Sequence, residues 1–155
     1  MSAQEFTALA EAFFQTLGLP ADVDPESGVY TLGVDDTLDV HMTNDNQGNV
    51  ILFASVGEIT SYGYAEKKYQ WLLSRYRVGN PDACHVYLAE GDVFLWRSMP
   101  VAGASAQTLI GLLEAFSTAA LEAMTSLDIK KPSLDEYEAM NPAQRDSLPP
   151  WAVRG

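Results

Sequence analysis

The sequence predicts an α+β fold, an antiparallel sheet with helices in the order α-β-β-β-α-β-β-α. Three observations predict it. Apolar residues recur at helical spacing in three segments. Five shorter segments alternate, or run apolar, over strand-like lengths. The turns between successive strands are short and rich in Asp, Asn and Gly, which implies antiparallel neighbours. With 155 residues the chain is long enough for one domain with its own core. That domain is expected over 1–129, followed by a tail over 130–155.

The first helix is predicted over 3–17, where Phe6, Leu9, Ala10, Phe13 and Leu17 form one stripe. Ser2 and Glu5 supply a capping box, and Gly18 and Pro20 end the helix. Strands follow at Val29–Val34, Leu38–Thr43 and Asn49–Val56, joined by Asp35-Asp36 and Asp45-Asn46-Gln47-Gly48. Residues 57–64 read as a loop. A second helix runs from about Tyr64 to Arg77, with Tyr69, Leu72, Leu73 and Tyr76 on one side and Trp71 beyond it, until Gly79-Asn80-Pro81 stops it. Strands His85–Glu90 and Asp92–Ser98 share a tight turn. The longest helix, about Ala106–Leu127, carries Leu109, Leu112, Leu113, Phe116, Ala120, Ala123, Met124 and Leu127 at a 3.6-residue period. Lys130-Lys131-Pro132 should break it. One short helix is expected from Ser133, capped by Glu136, and no regular structure over 141–155.

Two of these elements carry more apolar surface than one covered side requires. In the third strand Val50, Leu52, Ala54 and Val56 are answered by Ile51 and Phe53. In the fifth, Val93 and Leu95 are answered by Phe94 and Trp96. Strands apolar on both faces need cover on both, so a second subunit or a foreign chain is expected on one of them. The middle helix, greasy over more than half its circumference, is the expected homodimer interface, through Tyr69, Trp71, Leu72, Leu73 and Tyr76.

The formal net charge is -12, and residues 1–66 hold 11 acidic residues and no Lys or Arg. Such a surface repels phosphate backbones and anionic lipid, which argues against nucleic acid and membrane as partners. The N-terminus lacks the basic start of a secretory signal, and a single cysteine, Cys84, fits a reducing compartment. A cytoplasmic protein is therefore expected.

Residues able to carry catalysis are few. Cys84 and His85 are neighbours in a strand and should point to opposite faces, a poor dyad. Asp35, Asp36, Asp39 and His41 could gather around a cation, yet paired aspartates in a hairpin turn are mostly solvated, and no calcium-loop pattern surrounds them. No phosphate loop, dinucleotide fingerprint, nucleophile elbow or zinc spacing occurs. The reading is of a protein with no catalytic residues, metal or cofactor.

The ordered set of elements and several local strings resemble the Tir chaperone family, the class I chaperones of bacterial type III secretion. Phe14-Gln15-Thr16-Leu17-Gly18-Leu19-Pro20 resembles that family's opening helix end. Gly28 to Asp36 resembles its first strand and turn, and Leu38–Met42 its second strand. Val50-Ile51-Leu52-Phe53-Ala54-Ser55-Val56-Gly57 resembles its third strand, and Val93–Arg97 with Met99-Pro100 and the following helix its last third. The resemblance spans about 3–127, and the tail lies outside it. It implies a homodimer in the cytoplasm of a Gram-negative bacterium. Such a dimer holds the N-terminal segment of a secreted effector extended and keeps it soluble and export-competent, without nucleotide hydrolysis. The alternative it leaves open is a regulator on the same fold that sequesters a signalling or transcription partner. Family members place the first helix beside the last two strands, so Phe6, Leu9, Phe13, Phe94 and Trp96 are the expected partner-binding residues. The acidic surface would favour basic stretches in that partner.

Overall fold

The computed structural model describes residues 3–59, 65–128 and 138–146. Helix α1 (Ala3–Leu17) is followed by β1 (Tyr30–Val34), β2 (Leu38–Asn44) and β3 (Asn49–Glu58). Then come α2 (Ala65–Arg75), β4 (His85–Ala89), β5 (Asp92–Pro100) and α3 (Ala106–Asp128). The order is the expected one, with bounds shifted by one or two residues at most ends. The five strands form one antiparallel sheet in the order β1-β2-β3-β5-β4.

Local chemistry explains the breaks. Gly18, at φ 72°, ends α1 with a paired closure in which its N–H donates to Gln15 O and that of Leu19 to Phe14 O. Asp35 and Asp36 both take the left-handed conformation between β1 and β2, which short acidic residues tolerate better than most. Ser105 caps α3. Its Oγ accepts from Thr108 N–H at 3.2 Å, and Thr108 Oγ1 accepts from Ser105 N–H at 2.8 Å. The register of β3 against β5 shifts between Ser55 and Gly57. Gly57 there has φ 146°, and a Cβ on it would meet Leu127 of α3 at 3.2 Å. Only glycine lets the end of α3 close onto the strand at this point.

One face of the sheet is covered. Leu38, Val40 and Met42 of β2, Val50, Leu52, Ala54 and Val56 of β3, and Val93 and Leu95 of β5 are all buried. They belong to the same core as Phe6, Leu9, Ala10, Phe13 and Phe14 of α1 and Leu109, Leu113, Phe116, Ala120, Ala123 and Leu127 of α3. Tyr30 joins α1 to the sheet through ring contacts with Phe6 and Phe14 at 5.8 and 5.7 Å.

Helix α2 buries Leu72 and Lys68, both 2% exposed, and packs Ala65 and Trp71 against the core. Tyr76, just after it, lies within electrostatic reach of Asp82, Cys84 and Glu122, which puts this end of α2 near the start of β4 and near α3.

The tail differs from expectation. A one-turn helix, Pro142–Asp146, occupies part of the stretch read as irregular. Asn141 and Gln144 cap it reciprocally, each donating its backbone N–H to the other's side-chain oxygen at 2.9 Å. A single turn shows no apolar period, and the cap pattern Asn-Pro-x-Gln was the available signal. The cap expected at Ser2 and the short helix expected from Ser133 lie outside the described residues.

Candidate functional site

Because strand residues alternate, the second face of the sheet includes Thr31, Asp39, His41, Thr43, Ile51, Phe53, Ser55, Asp92, Phe94, Trp96, Ser98, His85, Tyr87 and Ala89. The register aligns five of them in one row across all the strands: Thr31, His41, Phe53, Trp96, His85. Contacts run along that row. Thr31 Oγ1 lies 3.0 Å from His41 Nδ1, the His41 ring 5.0 Å from Phe53, and the His85 ring 4.4 Å from Trp96. In the next row Tyr87 meets Phe94 at 6.5 Å between ring centroids. Ile51, Phe53, Tyr87, Ala89, Phe94 and Trp96 line an apolar groove of about 390 Å³, running diagonally from β3 to the end of β4. Every wall of it is a strand residue, and it is open to solvent; Tyr87 is 61% exposed.

The two pairs on β5 are thereby sorted. Val93 and Leu95 face the helices and are fully buried, whereas Phe94 and Trp96 line the open groove. The structure places the other three residues expected to contact a partner in the core. Phe6, Leu9 and Phe13 are 4%, 9% and 2% exposed beneath α1. They lie mid-stripe, so the amphipathic face that forms the helix also consumes them in the core. Ile51 and Phe53 were legible as a second apolar face of β3. Tyr87, Ala89 and the two histidines were not, because placing them requires knowing that β4 pairs with β5 and in which register.

The residues expected at a dimer interface also divide. Leu72 is a core residue of its own protomer, since α2 turns Leu72 and Lys68, one turn apart, toward the sheet and α3. A stripe drawn from apolar residues alone misses a helix face that buries a lysine. Tyr69 and Leu73, also one turn apart, point outward at 43% and 58% exposure. Trp71 and Tyr76 are partly buried and meet edge to face at 6.2 Å. Arg75 forms an ion pair with Asp82 and lies 5.3 Å from the centre of the Tyr76 ring. Burial, the largest influence, pushes the Tyr76 hydroxyl up to about 12.

Cys84 and His85 fall on opposite sides of the strand start. The Cys84 thiol is fully buried and donates to Asp82 O at 3.3 Å, and burial pushes it up to about 11. Asn80 bridges to the Cys84 backbone, its Nδ2 donating to Cys84 O and its Oδ1 accepting from Cys84 N–H. The cysteine is a structural anchor, held as a neutral thiol. Among the described residues, no group of three His, Cys, Asp or Glu side chains could hold a metal ion, and no helix is long and apolar enough to cross a membrane.

The Tir chaperone protein (CesT) family model matches residues 8–124 of this chain. Among curated proteins none matches the sequence. Solved structures share the fold. The ExsC–ExsE complex aligns at 24% identity and a TM-score of 0.67, over 82% of this chain and 96% of that one. The Yersinia pestis type III secretion chaperone SycH, in complex with a stable fragment of YscM2, aligns at 20% identity and 0.59, over 76% and 98%. The HopA1–SchA chaperone–effector complex aligns at 14% identity and 0.63, over 81% and 98%.

Proposed function

This chain belongs to the Tir chaperone protein (CesT) family, and on that premise we propose that it is a cytoplasmic, dimeric chaperone of type III secretion. In this reading it holds the N-terminal segment of a secreted effector extended and export-competent. The observation that carries the reading is the uncovered groove of Ile51, Phe53, Tyr87, Ala89, Phe94 and Trp96 on a sheet whose other face is already filled. An extended segment can place alternate apolar side chains in such a groove, and large aromatics dominate the energetics of protein contacts. The fold neighbours solved as complexes, SycH with a fragment of YscM2 and SchA with HopA1, support it. Two copies of the groove in a dimer would engage one long segment with higher avidity than either alone. The exposed Tyr69 and Leu73 of α2 are where we place the two-fold contact.

The test is to purify the chain from its native cytoplasm, identify what comes with it, and map the bound region by truncation. Recovery of one secreted protein, bound through its N-terminal segment and lost on truncation of that segment, is the expected result. A partner bound through a folded domain, or a regulatory protein that is never exported, would replace this reading with that of a sequestering regulator.

A further inference from the structure

The charge on the open face is arranged as unevenly as its apolar groups. Among the described residues, no Lys or Arg stands on that face. Arg97, the one Lys or Arg in the five strands, alternates to the helix side with Val93 and Leu95. The antiparallel topology brings the β1–β2 turn and the β4–β5 turn to the same end of the sheet. These turns, with the strand positions beside them, carry Asp35, Asp36, Asp39, Glu90 and Asp92, all exposed. The opposite end is different. Asp45 is engaged by Gln47 and Asn49, and Asp82 by Arg75. The groove descends from Ile51 toward Ala89, so it opens onto the acidic end beside Glu90 and Asp92.

We infer that this face fits an extended client segment with apolar side chains at alternate positions and Lys or Arg a short, fixed distance along it. The inference rests on the proposed use of the groove and adds which client chemistry it selects, and in which direction. In aligned packing, a strand laid on a sheet face runs within about 30° of the strands beneath it. Trp96 and Asp92 are four residues apart on β5, or about 13 Å at the usual rise of about 3.3 Å per residue. A client residue seated over Trp96 therefore brings a basic residue about four to six positions away onto Asp92 and Glu90. These carboxylates are exposed, so they act over about one Debye length and add selectivity and capture rate more than raw affinity.

The experiment uses the full chain and two labelled synthetic peptides, each with the same alternating Val and Leu segment. One continues into a Lys-Arg-Lys run and the other into Glu-Asp-Glu. Fluorescence anisotropy at low salt should give at least about tenfold tighter binding of the basic peptide, a gap that narrows as salt rises. The double variant Glu90→Gln, Asp92→Asn should shrink the gap several-fold. Glu5→Gln with Glu11→Gln on α1, which removes the same net charge elsewhere, should leave it intact. Trp96→Ala should weaken both peptides. Equal affinity for the two peptides, or a gap equally reduced by the α1 pair, overturns the charge assignment even when Trp96→Ala still weakens binding. If Trp96→Ala leaves the basic peptide's affinity unchanged, the groove itself is not the site. If it turns a dimer into a monomer, a second copy covers this face, and the client assignment fails with it.

Discussion

The two faces of the sheet are made by the same strands and differ in what they hold. On the helix side β3 and β5 present aliphatic residues, Val50, Leu52, Ala54, Val93 and Leu95, each at 0–1% exposure. On the other side the same strands present Ile51, Phe53, Phe94 and Trp96, interleaved with Ser55 and Ser98 and bounded by His41 and His85. Aliphatic side chains pack to crystal-like density against helices. Aromatic rings edged by hydroxyls and imidazoles tolerate water while still offering large apolar area. The difference teaches that apolar content alone does not say which face is core. The companions of the apolar residues do.

The sharpest way to break this comparison uses adjacent residues, Leu52 and Phe53. Leu52→Ala opens a cavity beneath the helices and should cost about 2–5 kcal/mol of unfolding free energy. Phe53→Ala removes the larger side chain, yet from a surface already open to water, and should cost no more than about 1–2 kcal/mol. Chemical denaturation of both variants measures this. Equal losses would mean that the two faces are equally covered in solution. The next largest effect is on binding. Trp96→Ala should raise the Kd for a client about 30- to 1000-fold, as loss of an aromatic hot spot worth about 2–4 kcal/mol does, while circular dichroism shows the fold retained. A folded variant with parental affinity would take Trp96 out of the site.

How much of this was legible depends on which structural level a residue reports. The order of elements followed from alternation, helical stripes and turn residues, since each is set within a few positions of sequence. The two-faced character of β3 and β5 was legible for the same reason. The row from Thr31 to His85 was not, because it joins residues from five strands and depends on their pairing order, β1-β2-β3-β5-β4. The orientation of α2 was not legible either. Its buried pair is Leu72 and Lys68, and a lysine at 2% exposure runs against every hydropathy pattern. Phe6, Leu9 and Phe13 read equally well as core or contact residues until the position of α1 over the sheet was known.

Helix α2 repeats the comparison on a smaller scale, with Leu72 turned in and Tyr69 and Leu73 turned out. Tyr69→Asp with Leu73→Asp should convert a dimer, of about twice the 16.9 kDa chain mass, into a folded monomer in light scattering. Charges set against their own copies across a two-fold axis repel. Leu72→Asp should instead unfold the protomer, because it places an unpaired carboxylate in the core. If the surface pair leaves the dimer intact, the two-fold contact lies elsewhere.

The smallest expected effect lies at the end of the sheet away from the acidic turns. Asp45 Oδ1 accepts from the N–H groups of Gln47 and Asn49 at 2.9 and 3.0 Å, and its Oδ2 accepts from Asn49 Nδ2 at 2.8 Å. It holds the β2–β3 turn, where Asn46 and Gly48 take positive φ. These bonds, that of the Asn49 side chain first, hold its carboxyl below the usual carboxylate range. A group whose folded pKa is depressed stabilises above its unfolded pKa, and that contribution is lost as pH falls through the folded value. Asp45→Ala should therefore lower the melting temperature slightly at neutral pH, and the difference from the parent should vanish in acid. Its carboxylate is engaged within the turn and stands at the far end of the groove, so the preference for a basic client peptide should not change. If Asp45→Ala weakens that preference as much as Glu90→Gln with Asp92→Asn does, the field on the open face is general rather than confined to one end. Charge would then set how readily the protein captures clients, but not the direction in which it holds them.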